Sequence, residues 1–268
     1  MPVKHDHVIR APWRYDVDPF WIADNLYYVG NTSVSVHLID TGDGLLLLDT
    51  AYTQTAYLLL ESIRKLGFDP ADIRWILHSH CHYDHFGATR LLVEKYGCKT
   101  YMPEADVAFL KEEASFNLCE KVDLYYEPPY DLYFDVDQAI KPGDVLTFGN
   151  TRVEVLNAAG HTPGTVAYRF TLPSGLKAAM HGGIGTNTLN KQYAAETGIG
   201  ETWRENFVNS LAGLRGLEVD IIIGNHPAQT DTFEKLRIRT PENNPFIDPA
   251  AWDCFLDKVW NKYLETCT

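Results

Sequence analysis

The feature that most constrains the fold of this chain is a run of six residues, His80-Cys81-His82-Tyr83-Asp84-His85. It directly follows residues 74–77, which we predict to be a short buried strand. Imidazole nitrogens and carboxylate oxygens suit zinc, and two histidines at positions i and i+2 of an extended loop can face one ion. The run therefore predicts a metal site at a strand end, with Asp84 and His85 facing a second ion beside the first.

Two later histidines complete the predicted donor set. His161 lies in the sequence GHTPGT, and His226 lies in the sequence IGNHP after an apolar strand over residues 220–223. Proline fixes its own φ angle and glycine permits close approach of the backbone, so such turns can position a side chain with little loss of entropy. Both histidines are therefore predicted metal ligands.

Strands and helices alternate along the chain in a pattern that predicts an α/β fold with a metal site at the edge of its sheets. Further strands are predicted at residues 21–30, 34–40, 44–49, 152–157, 165–171 and 177–180, and helices at residues 53–66, 86–96, 203–216, 232–238 and 249–264. No repeat or linker divides the chain, so we predict one domain over residues 1–268. Residues 1–15, with His5 and His7, are predicted to be a mobile arm.

Composition excludes several classes of partner. The formal net charge is −13 and no Lys/Arg-rich face is visible, which argues against nucleic acid and against anionic lipid as partners. No apolar run approaches the roughly 20 residues of a membrane span. Residues 1–15 lack the pattern of a secretory signal, so a cytoplasmic location is expected. The five scattered cysteines are expected to be free thiols, with Cys81 a spacer between ligands.

The order of these motifs resembles the metallo-β-lactamase superfamily. The pattern HxHxDH, then GHTPGT, then a strand leading to a histidine is similar to that family's signature. Further matches are Tyr28-Val29-Gly30, Thr41-Gly42-Asp43-Gly44 and Leu48-Asp49-Thr50, and the resemblance extends over residues 21–248. It implies a four-layer αββα sandwich, with the active site at one edge between the two sheets.

The resemblance also implies roles for individual residues. The first zinc ion would be bound by His80, His82 and His161, and the second by Asp84, His85 and His226. A hydroxide between the two ions would be the nucleophile, with its pKa lowered toward about 7, and Asp84 would orient it. The second site has fewer imidazoles and could be only partly occupied. The resemblance further implies that Asp49 supports the metal loops from behind the ligands.

One departure from most of the family concerns the segment Ala179-Met180-His181-Gly182-Gly183-Ile184. Many members place a bridging aspartate here, and this segment has no carboxylate. In this respect the chain resembles the third subclass of metallo-β-lactamases, and the charge of the loaded site would be +2 instead of +1. Such a site favours a substrate that carries a carboxylate. Gly183 is expected to leave an open, uncharged wall, and His181 is a candidate ligand or substrate contact, or else a buried histidine.

Three functions remain open. The ligand set favours a zinc-dependent hydrolase of a cyclic amide, similar to a β-lactamase. An alternative is a hydrolase of an intracellular lactone, ester or thioester on the same scaffold. A third is an iron-dependent redox enzyme of the same fold. Each acts on a small molecule, and the sequence leaves the oligomeric state open.

Residues outside these motifs have less specific interpretations. The segment 116–137 is rich in tyrosine, proline and acidic residues, and Tyr126, Tyr130 and Tyr133 are candidates for the pocket wall. Packing of this loop onto its own domain explains the composition equally well. His78 and His37 are expected to be structural.

Overall fold

Two β-sheets pack face to face, and helices cover their outer faces. The computed structural model describes residues 6–112, 132–189 and 202–267. The first sheet has the order β1-β2-β3-β4-β5-β6-β7 and the second the order β12-β11-β10-β9-β8. This arrangement confirms the predicted four-layer α/β sandwich.

The first sheet is antiparallel at one end and parallel at the other. Its strands are β1 (Phe20–Ala23), β2 (Leu26–Tyr28), β3 (His37–Asp40), β4 (Leu45–Leu48), β5 (Ile73–Leu77), β6 (Lys99–Pro103) and β7 (Gln138–Ile140). Strands β1 to β4 form an antiparallel meander, whereas β4 to β7 pair in parallel. Two parallel neighbouring strands need a crossover connection, which is usually a helix. Helices therefore lie between the parallel strands β4, β5 and β6 in the sequence.

The second sheet brings three strand ends to one edge. Its strands are β8 (Val145–Phe148), β9 (Thr151–Asn157), β10 (Val166–Thr171), β11 (Lys177–His181) and β12 (Ile221–Gly224). Strands β8 to β11 pair antiparallel and β11 pairs parallel with β12. Strands β9, β11 and β12 therefore run in the same direction, and the loops after them share one edge.

The described helices lie on the outer faces and around the site. They are α1 (Asp6–Arg10), α2 (Ala56–Lys65), α3 (Tyr83–Phe86), α4 (Thr89–Tyr96), α5 (Glu104–Glu112), α6 (Thr202–Gly213), α7 (Thr232–Ile238) and α8 (Ala251–Cys267). None of them combines the length and the apolarity needed to cross a membrane.

Strand β4 shows why this sequence forms layers. Its four leucines are all buried, and alternate residues point to opposite faces of a strand. Leu46 and Leu48 belong to the core between the two sheets, together with Tyr168 of β10. Leu45 and Leu47 belong to the outer cluster, which also includes residues of α2 and α8. A strand that is apolar on both faces is typical of a sheet covered on both sides.

The sequence predicted most of these elements and missed some. The predicted strand over residues 21–30 is two strands, because Asp24 has a φ angle of 45° in the turn between them. Strands β6, β7 and β8 and helix α5 were not predicted. Strand β7 has three residues and β8 exposes alternate side chains, so neither has a strong apolar signal.

The mobility of the arm over residues 1–15 stays a prediction, but its described part packs onto the domain. Residues 6–10 form α1 and Pro12–Tyr15 form a 3-10 turn. Val8 is completely buried and Ile9 nearly so, both within the outer core cluster. His5 lies outside the described residues. Burial of apolar side chains that are adjacent in sequence explains why this segment packs onto the domain.

The contact between α8 and the end of α6 generates a first prediction. Trp252 of α8 is 1% exposed, and its Nε1–H donates to the carbonyl of Leu214 at 2.8 Å. We expect Trp252→Ala to lower the free energy of unfolding by about 3–5 kcal/mol, because it leaves a cavity and an unpaired carbonyl. Urea denaturation measures this loss.

Trp13, which is 63% exposed, provides the matched control. We expect Trp13→Ala to change the free energy of unfolding by at most about 0.5 kcal/mol. Equal effects of the two substitutions would contradict the packing described for α8.

Candidate metal centre

The predicted donors lie in loops at one edge of the sandwich. His80 and His82 follow β5, and Asp84 and His85 lie within the short helix α3. His161 lies in the turn after β9, and His226 directly follows β12. Gly160, just before His161, has a φ angle of 142°, and an added Cβ there would lie 2.4 Å from Phe207 Cβ. This turn therefore requires glycine.

The structure brings the six side chains together as two groups of three. One group contains His80, His82 and His161, and the other contains Asp84, His85 and His226, with the donor atoms of each group within 4.8 Å of one another. Their part in metal binding remains a prediction, and the geometry agrees with the division between two ions that the sequence suggested.

In the first group, His80 Nε2 faces His82 Nδ1 at 3.0 Å. The ring of His161 lies 4.9 Å from that of His80 and 4.6 Å from that of His82, measured between ring centres. In the second group, Asp84 Oδ2 lies 3.5 Å from His85 Nε2 and 3.7 Å from His226 Nε2. Asp84 is the only carboxylate in either group.

Hydrogen bonds on the far side of the rings determine which nitrogen faces the site. His161 Nδ1 lies 2.9 Å from the carbonyl of Gly185, and His226 Nδ1 lies 2.9 Å from the carbonyl of Ser33. A carbonyl only accepts, so each Nδ1 carries the proton and each Nε2 of a neutral ring has a free electron pair. Such partners are typical of metal-binding histidines.

His80 is oriented in the same way through a hydroxyl. Ser79 Oγ donates to Asp49 Oδ2 at 2.8 Å, so it can accept from His80 Nδ1 at 3.0 Å. His80 Nε2 is then an electron-pair donor toward the site. The first group thus offers Nε2 of His80 and His161 together with Nδ1 of His82.

Two rings of the first group have pKa values that favour the neutral, metal-binding form. Burial, together with the nearby histidines, holds the pKa of His80 well below its usual value, and burial lowers the pKa of His161 to about 4. Burial also lowers the pKa of His85, but Asp84 and Asp49 more than offset this and leave it raised. Neutral imidazoles beside one carboxylate are the donor set that zinc prefers. The residues present therefore fit a pair of zinc ions.

Asp49 contacts the loop of the predicted ligands from behind, and its support of a metal site stays a prediction. Its buried carboxylate accepts from Ser79 N–H at 2.7 Å, from Ser79 Oγ, and from His85 Nδ1 at 2.9 Å. Its φ angle is 62°, which is uncommon for a residue other than glycine. Asp49 thereby connects the end of β4 to the loop that carries four of the predicted ligands.

Asp106 is a second buried carboxylate behind the ligands, and the sequence did not reveal it. Asp106 of α5 accepts from Cys81 N–H at 2.9 Å, from Thr162 Oγ1 at 2.7 Å and from Gly164 N–H at 2.6 Å. Burial raises its pKa to about 6, although these hydrogen bonds oppose that shift. Asp106 connects the two loops of the first group, and its partners lie 25 to 58 residues away in sequence.

A cavity of about 360 Å³ opens onto the donors. Its described lining residues are His82, Asp84, His85, His161, Gly183, Ile184, Gly185, Thr186, Asn225, His226, Gln229 and Lys262. Lys262 is the only lysine or arginine among them, and no motif pointed to it because it lies on a helix far from the predicted ligands in sequence.

Gly183 lines the cavity, but it has no room for a side chain. A Cβ atom there would lie 2.5 Å from Cδ2 of His161, so the wall that we expected to be open is packed against the ring of this predicted ligand. His181 lies behind this wall and outside the described pocket lining. Its ring centre is 5.9 Å from that of Phe255, its Nδ1 accepts from Gly183 N–H at 3.3 Å, and burial lowers its pKa to about 3.

Other residues singled out in the sequence lie away from the donors. His78 is buried, with Nδ1 2.8 Å from the carbonyl of Tyr101 and Nε2 2.8 Å from Thr89 Oγ1, so it is structural. The cysteines that the structure describes are free thiols, and Cys81 is buried in the outer core. Tyr133 is not among the described pocket residues. Tyr126 and Tyr130 lie outside the described residues.

Comparison with known proteins identifies similar sequences and structures. A family model described as the metallo-β-lactamase superfamily matches residues 29–176. BJP-1, a subclass B3 metallo-β-lactamase of Bradyrhizobium japonicum, superposes with a TM-score of 0.81 at 26% identity over 94% of both chains. Native FEZ-1 metallo-β-lactamase from Legionella gormanii gives a TM-score of 0.81 at 26% identity, over 94% of this chain and 95% of that chain.

Curated sequences are similar over a shorter segment. A hydroxyacylglutathione hydrolase of Mesorhizobium japonicum is 28% identical over 134 residues, which is 47% of this chain and 42% of that protein. A probable metallo-hydrolase of Methanocaldococcus jannaschii is 24% identical over 124 residues, which is 46% of this chain and 55% of that protein. The chain thus matches only about half of the length of these two relatives.

The contacts of Asp106 generate a prediction. We expect Asp106→Asn to weaken zinc binding at the first group by about 10- to 100-fold, because an amide nitrogen cannot accept from Cys81 N–H or Gly164 N–H. Zinc binding at the second group should change less. Competition with a chelator measures both affinities.

Asp72 is exposed and serves as the control for Asp106. Asp72→Asn should leave both zinc affinities unchanged. Equal zinc affinities in wild type and Asp106→Asn would show that Asp106 does not position these loops.

The packing of Gly183 against His161 generates another prediction. We expect Gly183→Ala to lower zinc affinity at the first group by at least about 10-fold, since the new methyl group displaces the ring of His161. Gly213→Ala is the control, because a Cβ there meets nothing within 4 Å. A crystal structure of zinc-loaded Gly183→Ala with an unmoved His161 would refute this expectation.

Proposed function

We propose a zinc-dependent amide hydrolase acting on β-lactam rings as the function of this chain, which belongs to the metallo-β-lactamase superfamily. The chain is a metal-dependent hydrolase of that family. The identity of the metal as zinc and of the substrate as a β-lactam is our proposal. It is supported by the similarity to two metallo-β-lactamases over more than nine-tenths of each chain.

One observation carries the proposal. The two donor groups contain five imidazoles and a single carboxylate, with no carboxylate between them among the described residues. Two Zn²⁺ ions there would carry more uncompensated charge than with a bridging aspartate. Such a site attracts anionic substrates and stabilises negative charge that develops on a carbonyl oxygen.

The chain's own residues then perform distinct tasks. Zinc supplies polarisation of a carbonyl and a water molecule with a pKa near 7 when it is bound. The carboxylate of Asp84 is buried beside His85 and His226, where it can accept a hydrogen bond from the attacking water and orient it. It is also the only acid among the described pocket residues, so it is our candidate to take the proton of that water and pass it to the leaving nitrogen.

The surrounding groups keep this geometry fixed. The carbonyls of Gly185 and Ser33 and the carboxylate of Asp49 accept from the Nδ1 atoms of three of the histidines. Fixed rings need little reorganisation when charge develops during the reaction, and preorganised charge is often the largest part of catalysis.

A second candidate is a thioester hydrolase, which the 28% identity to a hydroxyacylglutathione hydrolase favours. The missing bridging carboxylate disfavours it, because many members of the superfamily outside the third subclass retain that residue. Elemental analysis of the purified protein distinguishes zinc from iron, and iron would favour the redox alternative. Turnover of nitrocefin compared with S-lactoylglutathione, each with and without chelator, distinguishes the two hydrolases. Turnover of the thioester alone would overturn the proposal.

The role of Asp84 generates a prediction. We expect Asp84→Ala to lower kcat by at least about 100-fold, because the water loses its orienting base. Zinc at the first group should remain, since His80, His82 and His161 are unchanged. Elemental analysis and initial rates measure the two effects on the same sample.

Asp84→Asn is the matched variant, because it keeps the shape of the side chain and an oxygen donor but loses the basic carboxylate. We expect it to retain more second-group zinc than Asp84→Ala and to be nearly as inactive. Rates close to wild type in either variant would exclude Asp84 from the reaction.

A further inference from the structure

Helix α8 packs against the wall of the metal pocket at two points. The ring of Phe255 lies 5.9 Å from that of His181, directly before Gly182 and Gly183. Near the end of the helix, Cys267 Sγ lies 3.8 Å from the carbonyl of Thr186, which lines the pocket. The stretch of α8 between these contacts therefore runs beside the pocket.

Lys262 lies on that stretch. It is seven residues after Phe255, about two helical turns, so both side chains lie on similar sides of the helix. Lys262 lines the pocket together with ligand candidates of both groups, including His161 and His226. Its side chain is the one that α8 contributes to this cavity among the described lining residues.

The charge of Lys262 is not neutralised within the part of the chain that the structure describes. No acidic side chain there forms an ion pair with it, although Asp and Glu outnumber Lys and Arg by 36 to 23 in the sequence. Lys258, one turn earlier, pairs with Asp231 at 3.4 Å and does not line the pocket. The two lysines of the same helix thus differ in both partner and position.

Lys262 is exposed and lines the pocket, and a lysine in such a place favours one kind of ligand. Two positive centres, the metal pair and Lys262, repel each other unless an anion lies between or beside them. Lysine is a compact charge with three donors on a flexible stem, so it suits a carboxylate whose position varies between substrates.

We propose that Lys262 forms an anion subsite of the pocket and binds the carboxylate of the substrate while the carbonyl is at the donors. The part of this inference that concerns the reaction rests on the proposed function. The binding of an anion by Lys262 does not depend on it. The inference assigns to Lys262 the recognition of the carboxylate that the proposed substrates carry.

Kinetics with paired substrates test the subsite. The variants are Lys262→Gln and the control Lys258→Gln, as zinc-loaded full-length protein, with nitrocefin and its carboxylate methyl ester as substrates. We expect Lys262→Gln to raise KM for the free acid about 5- to 10-fold. This loss of binding is larger than that expected for an exposed ion pair and smaller than that for a buried hydrogen bond to a charged group. KM for the ester, and kcat for both substrates, should stay within about twofold of wild type. Lys258→Gln should match wild type for both substrates.

Direct binding provides a readout that does not depend on turnover. Calorimetric titration with glutarate should show weaker binding to Lys262→Gln than to wild type and Lys258→Gln, at equal zinc content and equal melting temperature. If glutarate binding shows this pattern but no β-lactam is turned over, the proposed function fails and the subsite stands. If Lys262→Gln binds glutarate as tightly as wild type, or loses ester and acid turnover equally, the subsite is overturned.

Discussion

The metal centre depends on the buried carboxylate of Asp49. A buried charge is costly unless hydrogen bonds compensate it, and Asp49 receives three, from the amide and hydroxyl of Ser79 and from His85. The positive φ angles of Asp49 and Ala51 add strain, of order 1–3 kcal/mol for each such residue. These costs are tolerated because the same contacts orient His80, through Ser79, and His85.

The sequence predicted the residues that cluster at the sheet edge and most of the strands, because their signals are local. The HxHxDH run and the apolar strand before it lie within a dozen residues, and both the alternation in β9 and the apolar run of β12 are visible in the sequence itself. Asp106 and Lys262 could not be predicted, because only the tertiary fold brings each of them close to the groups that it faces. Gly183 was misjudged for the same reason, because its neighbour is the ring of His161.

Electrostatics connect the site to its proposed substrate. The chain carries a net charge of −13, yet the described pocket lining contains one carboxylate, four imidazoles and Lys262. An acidic protein surface repels anions at long range, whereas a metal-loaded pocket attracts them at short range. Selectivity for an anionic small molecule therefore resides in the groups that line the pocket.

The contact between Gly183 and His161 also bears on how such sites evolve. Many members of the superfamily carry a bridging aspartate in this region, and a single nucleotide change can convert a glycine codon into an aspartate codon. Here any side chain at Gly183 meets the ring of a ligand, and one at Gly182 meets the carbonyl of Val166 at 2.3 Å. The backbone would have to move before the carboxylate could be accepted. A single substitution at either glycine would therefore not convert one type of metal site into the other, because the new side chain would first displace the surrounding groups.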